Sequence, residues 1–349
     1  MNEAMRRARL TTSPGRLRLV IDSDAKNEID DQYAIAWALR STERFQVEAV
    51  YAAPFSHNYF RRNVGVPEGG IWEDPALGMR QSYDEILRLY GLLNLDAAGH
   101  VFHGAERYLP LDRRPVESDA VRDLLSRAMA SEEPLYVAAI GACTNIASAL
   151  LLEPRLKDRL VVVWLGGQPP YFGHGYEFNM GQDIRAAQTL FDSGVPLVWV
   201  PCMGVASLLS FSDDEARNKL NGKSRIGTYL TDIIFSQFTG MEKALSRAKT
   251  QRTLQLRGQE DRDEAYFAQF PSRHVAWSRT IWDIAAIAWL KNPGWCASAL
   301  TPAPVLRGDC TYGPQDKRRH SIRLVRYCQR DLIFGDLVAC LDHDEPSDR

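Results

Sequence analysis

The chain has 349 residues and is 45% apolar, enough to bury a large core as one big α/β domain or two smaller ones. Its formal net charge of −2 gives no electrostatic basis for nucleic acid or an anionic membrane surface as partner. No apolar run reaches the ~18–20 residues of a membrane span, and the six cysteines (Cys143, Cys202, Cys296, Cys310, Cys328 and Cys340) are dispersed without CxxC or zinc spacing, as suits reduced thiols in a cytoplasmic protein.

Residues 1–16 are basic and lack the apolar stretch of a signal peptide, so they read as a disordered lead-in to one domain over 17–349. Leu17 to Leu39 is the most telling stretch of that domain. Leu17, Leu19, Val20 and Ile21 form a short apolar run of the buried parallel-strand kind, and Tyr33, Ile35, Ala36, Trp37 and Leu39 read as a helix packed on a sheet. Between them stand four aspartates within ten residues, Asp22, Asp24, Asp30 and Asp31. The carboxyl end of a strand is the usual ligand crevice of an open α/β sheet. So much negative charge there needs neutralising, and a hard divalent cation held by oxygen is the simplest solution.

Phe45 to Ala53 reads as a second strand, and the long irregular loop 54–78, with a central Trp72, as a lid or binding loop. Met79–Leu93 and Val116–Ala130 read as helices and Leu135–Ile140 as a strand. The turn Gly141-Ala142-Cys143-Thr144-Asn145 leads into another helix, where Thr144 or Asn145 could serve as a cap. Leu160–Leu165 is a buried strand ending at Gly166-Gly167. After it comes an aromatic loop holding Tyr171, His174, Glu177, Asn179 and Asp183, then a helix over Ile184–Phe191 and a strand over Pro196–Val200. Alternating strands and helices predict an open, mostly parallel, doubly wound (Rossmann-like) α/β sheet with helices on both faces. No GxGxxG follows the first strand, which disfavours the usual dinucleotide site. The second half predicts a long helix over Ile226–Ala248, a charged surface insert over 249–263 and an apolar helix after Trp282-Asp283. Antiparallel edge strands are predicted over Ser321–Tyr327 and Leu332–Cys340.

Four of these motifs occur in an order that resembles the nucleoside hydrolase family of inosine–uridine type N-ribohydrolases. They are the acidic loop Asp22, Asp24, Asp30, Asp31; the turn Gly141 to Asn145; Gly166-Gly167 with Glu177-Phe178-Asn179, Asp183 and Ser193-Gly194-Val195-Pro196; and Trp282-Asp283. The resemblance spans roughly residues 17 to 290. It implies an open α/β sheet with the site at its carboxyl edge and a Ca2+ cofactor. Asp24, Asp31, Asp283 and the backbone carbonyl of Ile140 would be the ligands, and Asp24 would also be the general base for the attacking water. Asp30, Glu177 and Asn179 would hold the ribose hydroxyls. The implied partner is a small-molecule nucleoside, and the implied assembly a homodimer or homotetramer.

The chemistry is consistent with that set. Calcium takes six to eight oxygens, so three carboxylates and a carbonyl leave places for a water and two sugar hydroxyls. A cation lowers a water's pKa, a facing carboxylate takes the proton, and carboxylates beneath the ring favour an oxocarbenium-like state. Trp282 stands where many members carry histidine, and stacking there favours a purine, with Trp72 or Tyr171 as candidates for the opposite face. Simple core packing is the other reading of Trp282. His174 and His274 are candidates for a leaving-group acid.

The chain departs from the family in three places. Five residues, Ala25 to Ile29, separate the second and third aspartates where three are usual, which brings Lys26 and Glu28 into consideration. Tyr171 replaces a common asparagine, and Ala52-Ala53-Pro54-Phe55 replaces a polar residue near the ribose. These departures leave two further readings open: a calcium-dependent sugar or nucleoside binder without turnover, and a hydrolase of another N-glycoside. A phosphatase of haloacid-dehalogenase type, with Asp22 as nucleophile and magnesium, would need Thr or Val at Lys26 and leaves Asp30-Asp31 unexplained.

Overall fold

The structure is a computed structural model and describes residues 1–57, 74–236 and 278–344. In chain order the elements are α1 (Glu3–Arg9), β1 (Leu17–Ser23), α2 (Asp30–Arg40), β2 (Phe45–Ala52), α3 (Pro75–Leu92), β3 (Val101–His103), α4 (Asp119–Met129) and β4 (Leu135–Ala139). They continue with α5 (Thr144–Leu152), β5 (Leu160–Leu165), α6 (Phe178–Gln182), α7 (Ile184–Asp192), β6 (Leu197–Val200), β7 (Ser210–Ser212) and α8 (Asp213–Lys219). The last are α9 (Arg225–Ser236), β8 (Ser278–Thr280), α10 (Ile284–Lys291), β9 (Cys296–Pro302), β10 (Ser321–Cys328) and α11 (Arg330–Leu341).

Eight strands form one sheet in the order β3-β2-β1-β4-β5-β6-β10-β9, parallel throughout except for β9, which runs antiparallel to β10. This is the mostly parallel α/β sheet the sequence predicts. The central strands bury both faces: β4 and β5 have no exposed residue, as strands sandwiched between helical layers require. One core packs α2, α9, α10 and α11 on one face of the sheet, and a second packs α4, α5 and α7 on the other. α2 is buried along its whole length, which fixes its first turn, Asp30-Asp31, against the end of β1. The strand order reverses between β1 and β4, so a crevice opens there at the carboxyl ends.

Two expectations are corrected. The lead-in is not disordered: α1 is capped by Asn2, buried Arg6 donates to the carbonyl of Gly194 at 3.0 Å, and Leu10 is fully buried. Its arginines and one leucine supply the contacts that a basic composition conceals. Residues 332–340 form a helix, not an edge strand. Ile333, Phe334, Leu337 and Leu341 recur at helical spacing and are the residues it buries. β10 lies inside the sheet beside β6, and the antiparallel edge is β9. The predicted long helix at Ile226 is α9 as far as Ser236; its remainder, most of the loop 54–78, and the insert 249–263 lie outside the described residues. Among the described residues no helix is long and apolar enough to cross a membrane.

Candidate active site

The crevice holds a cavity of about 230 Å³ whose lining includes Asp24, Asp30, Asp31, Ile140, Glu177, Asn179, Trp282 and Asp283. Each comes from a segment the sheet brings to its carboxyl edge. Asp24 follows β1, Asp30 and Asp31 open α2, and Ile140 immediately follows β4. Glu177 and Asn179 flank the start of α6, and Asp283 immediately precedes α10. Carboxylates at the first turn of α2 sit at the positive end of its dipole.

Ligand atoms of Asp30, Asp31 and Asp283 lie within 4.8 Å of one another, and all three side chains are buried. Ser23 Oγ donates to Asp31 Oδ1 at 2.5 Å and orients it. Asp24 Oδ2 is buried and has no hydrogen-bond partner among the described residues. Burial, and next the Asp31 and Asp30 charges, raise the Asp24 carboxyl well above its ordinary range. Burial likewise raises Asp30 and Asp283, with their carboxylate neighbours adding to it, and pushes Asp31 up to about 7. Four carboxyls are therefore held together at the cost of their charge. Gly141 permits that closeness, because a Cβ there would stand 3.0 Å from Asp24 Oδ1 and 3.2 Å from the Ala53 Cβ.

Glu177 is anchored as the cap of α6: its carboxylate accepts the N–H groups of Gly167 at 2.5 Å, Met180 at 2.6 Å and Asn179 at 2.9 Å. Gly167 has a φ of 73°, which suits glycine and aims its N–H at Glu177. The Asn179 side chain donates to the carbonyls of Ile140 at 3.1 Å and Leu165 at 3.0 Å, tying the ends of β4 and β5 together. Thr144 and Asn145 prove not to cap α5. Thr144 donates to Asp183 at 2.8 Å, and Asn145 to Asp22 at 2.7 Å. Asp22 sits behind the cavity rather than in its lining, a poor position for a phosphatase nucleophile.

Other candidates fall elsewhere. Tyr171 is 73% exposed and does not line the cavity. His174 is exposed and forms a bridge with Thr311, so it is not placed to protonate a leaving group there. Trp72 and His274 lie outside the described residues. The sequence reading missed Asn27, Gln168, Cys202 and Met203, which also line the cavity. Of the two residues considered from the longer loop, Glu28 enters the lining, whereas Lys26 turns away to Glu85, 3.3 Å distant.

A doubly wound α/β protein with a buried, oxygen-lined acidic site at its strand-order reversal is the class this geometry defines. Residues 19–326 match the family model described as inosine-uridine preferring nucleoside hydrolase, and the chain belongs to that family. It is similar to the pyrimidine-specific ribonucleoside hydrolase RihB of Escherichia coli O1:K1, with 34% identity over 92 residues. That match spans 26% of this chain and only 29% of the relative. Among solved structures it resembles a plant nucleoside hydrolase, PpNRh1, with a TM-score of 0.63 at 17% identity, covering 95% of this chain and 99% of that one. It also resembles a purine-preferring ribonucleoside hydrolase from Gardnerella vaginalis, with a TM-score of 0.63 at 16% identity over 93% of this chain and 98% of that one.

Proposed function

We propose that this protein hydrolyses the N-glycosidic bond of a nucleoside, purine nucleosides foremost, to free base and ribose with calcium as cofactor. The observation that carries the reading is the convergence of Asp24, Asp30, Asp31 and Asp283 with Glu177, Asn179 and Trp282 on one cavity. The donor set fits a hard cation: three buried carboxylates are mutually close, and the orphaned Asp24 Oδ2 adds a fourth oxygen without a partner. Asp24, Asp31, Asp283 and the Ile140 carbonyl would hold it. When bound, calcium supplies the positive charge that lets the carboxylates ionise together and that acidifies a water.

The remaining work falls to the chain. Asp24 faces the attacking water with its other carboxylate oxygen and takes its proton as the water oxygen bonds to the anomeric carbon. The glycosidic electron pair leaves with the base nitrogen, which takes a proton from solvent to give the free base, and Asp24 returns the water's proton to solvent. Asp30 and the Oδ1 of Asn179, whose Nδ2 is committed to the Ile140 and Leu165 carbonyls, accept from the sugar hydroxyls, and Glu177, held rigid by three backbone N–H groups, presents its carboxylate to the same ring. Negative oxygens around the ring favour the oxocarbenium-like state over the ground state. Trp282 offers a flat apolar wall for the base.

The test is ribose release from a panel of purine and pyrimidine nucleosides, with chelator and after calcium is restored. Chelator-sensitive release is expected, and Asp24→Asn should lower kcat about 10²- to 10⁴-fold. Normal turnover by that variant would remove Asp24 as the base. Calcium bound without release from any nucleoside would favour a binding protein instead.

A further inference from the structure

The loop between Asp24 and Asp30 is two residues longer than the family pattern, and every polar side chain within it except one is paired inside the protein. Lys26 is drawn out of the cavity, its ammonium 3.3 Å from Glu85. Glu28 is drawn sideways, its carboxylate 3.3 Å from the guanidinium of Arg279 on β8. The backbone is tied as well, the Ala25 carbonyl accepting from Gln32 Nε2 at 2.6 Å. Asn27 is the exception. Its backbone N–H donates to the Asp24 carbonyl at 2.7 Å, closing a tight turn on the residue that leads the acidic cluster. The residue is only 6% exposed and lines the cavity with Asp24, Asp30 and Asp31, and its Oδ1 has no hydrogen-bond partner among the described residues.

A buried amide oxygen with nothing donating to it is costly, because it has given up water without a replacement partner. Among the described residues lining this cavity, the other buried atom without a hydrogen-bond partner is Asp24 Oδ2, a carboxylate oxygen. With Asp24 ionised the two oxygens are both acceptors and cannot satisfy each other, but one cation satisfies both. The Ile140 carbonyl, meanwhile, is shared, because Asn179 already donates to it at 3.1 Å. A further neutral oxygen would complete the coordination number calcium prefers without adding a charge to four crowded carboxyls.

We propose that Asn27 Oδ1 is an additional ligand of the cation, supplied by the lengthened loop of this chain. The proposal rests on the calcium reading above and deepens it. The loop then adds an oxygen to the metal cradle and leaves the cradle's charge unchanged, with the Glu28–Arg279 pair and the Lys26–Glu85 pair bracing the turn from either side.

Calorimetric titration of calcium into chelator-stripped protein tests it, with circular dichroism melting as the check on folding. Asn27→Leu, close in size but lacking the oxygen, should bind calcium about tenfold or more weakly. Asn27→Asp, which restores an oxygen at the same place, should bind at least as tightly as the native chain. If Asn27→Leu does not fold, Asn27→Gln displaces the oxygen by one methylene and should show the same weakening. Native calcium affinity in the Leu or Gln variant overturns the proposal, and a raised KM alongside it would assign Asn27 to the substrate. If the native protein itself takes up no calcium, the calcium reading falls, and this proposal with it.

Discussion

Asn145 Nδ2 donates to Asp22 Oδ1 at 2.7 Å, while Asn145 Oδ1 accepts the backbone N–H of Ala105 at 2.8 Å. One buried amide thus joins the end of β1 to the segment after β3 and the first turn of α5. It explains why the turn before α5 needs asparagine in particular: only a side chain with both a donor and an acceptor can serve both partners. Asp22 Oδ2 has no hydrogen-bond partner among the described residues, and burial pushes the carboxyl up to about 7. Asn145→Leu fills the same space but leaves the Ala105 N–H and Asp22 Oδ1 unpaired. We expect it to destabilise the fold by about 2–4 kcal/mol, read from urea unfolding midpoints at constant m-value. A loss below about 0.5 kcal/mol would mean that the amide is dispensable to the β1 end.

The acidic loop, the EFN triplet and the late aspartate were legible because their chemistry survives in local pattern: charged residues abutting apolar runs at strand ends are conspicuous wherever they occur. The sheet was legible for the same reason, since β4 and β5 are short, almost wholly apolar runs and β1 holds the apolar stretch Leu19 to Ile21. What stayed hidden depends on contacts between distant segments. Tyr171 reads as a site aromatic but stands exposed beside Gly204. β9 (CASALTP) carries small residues without alternation, and it becomes an edge strand only by pairing with β10. Asn27 gave no sequence signal beyond the length of its loop. Its isolation shows only once Lys26 and Glu28 are seen paired on either side.

Trp282 lines the cavity while also packing, half-buried, against the core on the α10 side. Both readings of the residue therefore have a structural basis, and substrate discrimination separates them. Stacking on a two-ring base uses more of the indole face than stacking on one ring. Trp282→Leu keeps apolar contact with the core but removes that face. We expect kcat/KM for purine nucleosides to fall about 3- to 10-fold more than for pyrimidine nucleosides. Equal losses on both, with a lowered melting temperature, would make the tryptophan a packing residue and would remove the support for purine preference.

The carboxyl cluster also makes a signed prediction about stability and pH. In metal-free protein, burial raises Asp24, Asp30 and Asp283 and pushes Asp22 and Asp31 up to about 7, whereas the unfolded chain has ordinary aspartates near ~3.9. Between those values the folded state holds more protons than the unfolded state, so stability must fall as pH rises. His320, held down to about 4 by burial and the Arg6 and Arg319 charges, acts in the opposite sense below about pH 6.5. The calcium-loaded protein contains the same histidine, so the difference between loaded and stripped protein isolates the carboxyls. On the calcium reading, the cation competes with protons for the same oxygens. The stabilisation it gives should therefore be small at pH 5 and grow steadily to pH 8, where the stripped protein should melt roughly 5 °C or more below the loaded one. Calorimetric melting of both forms across that range provides the measurement. A calcium stabilisation that stays flat or shrinks with rising pH would show that the cation does not replace protons on this cluster.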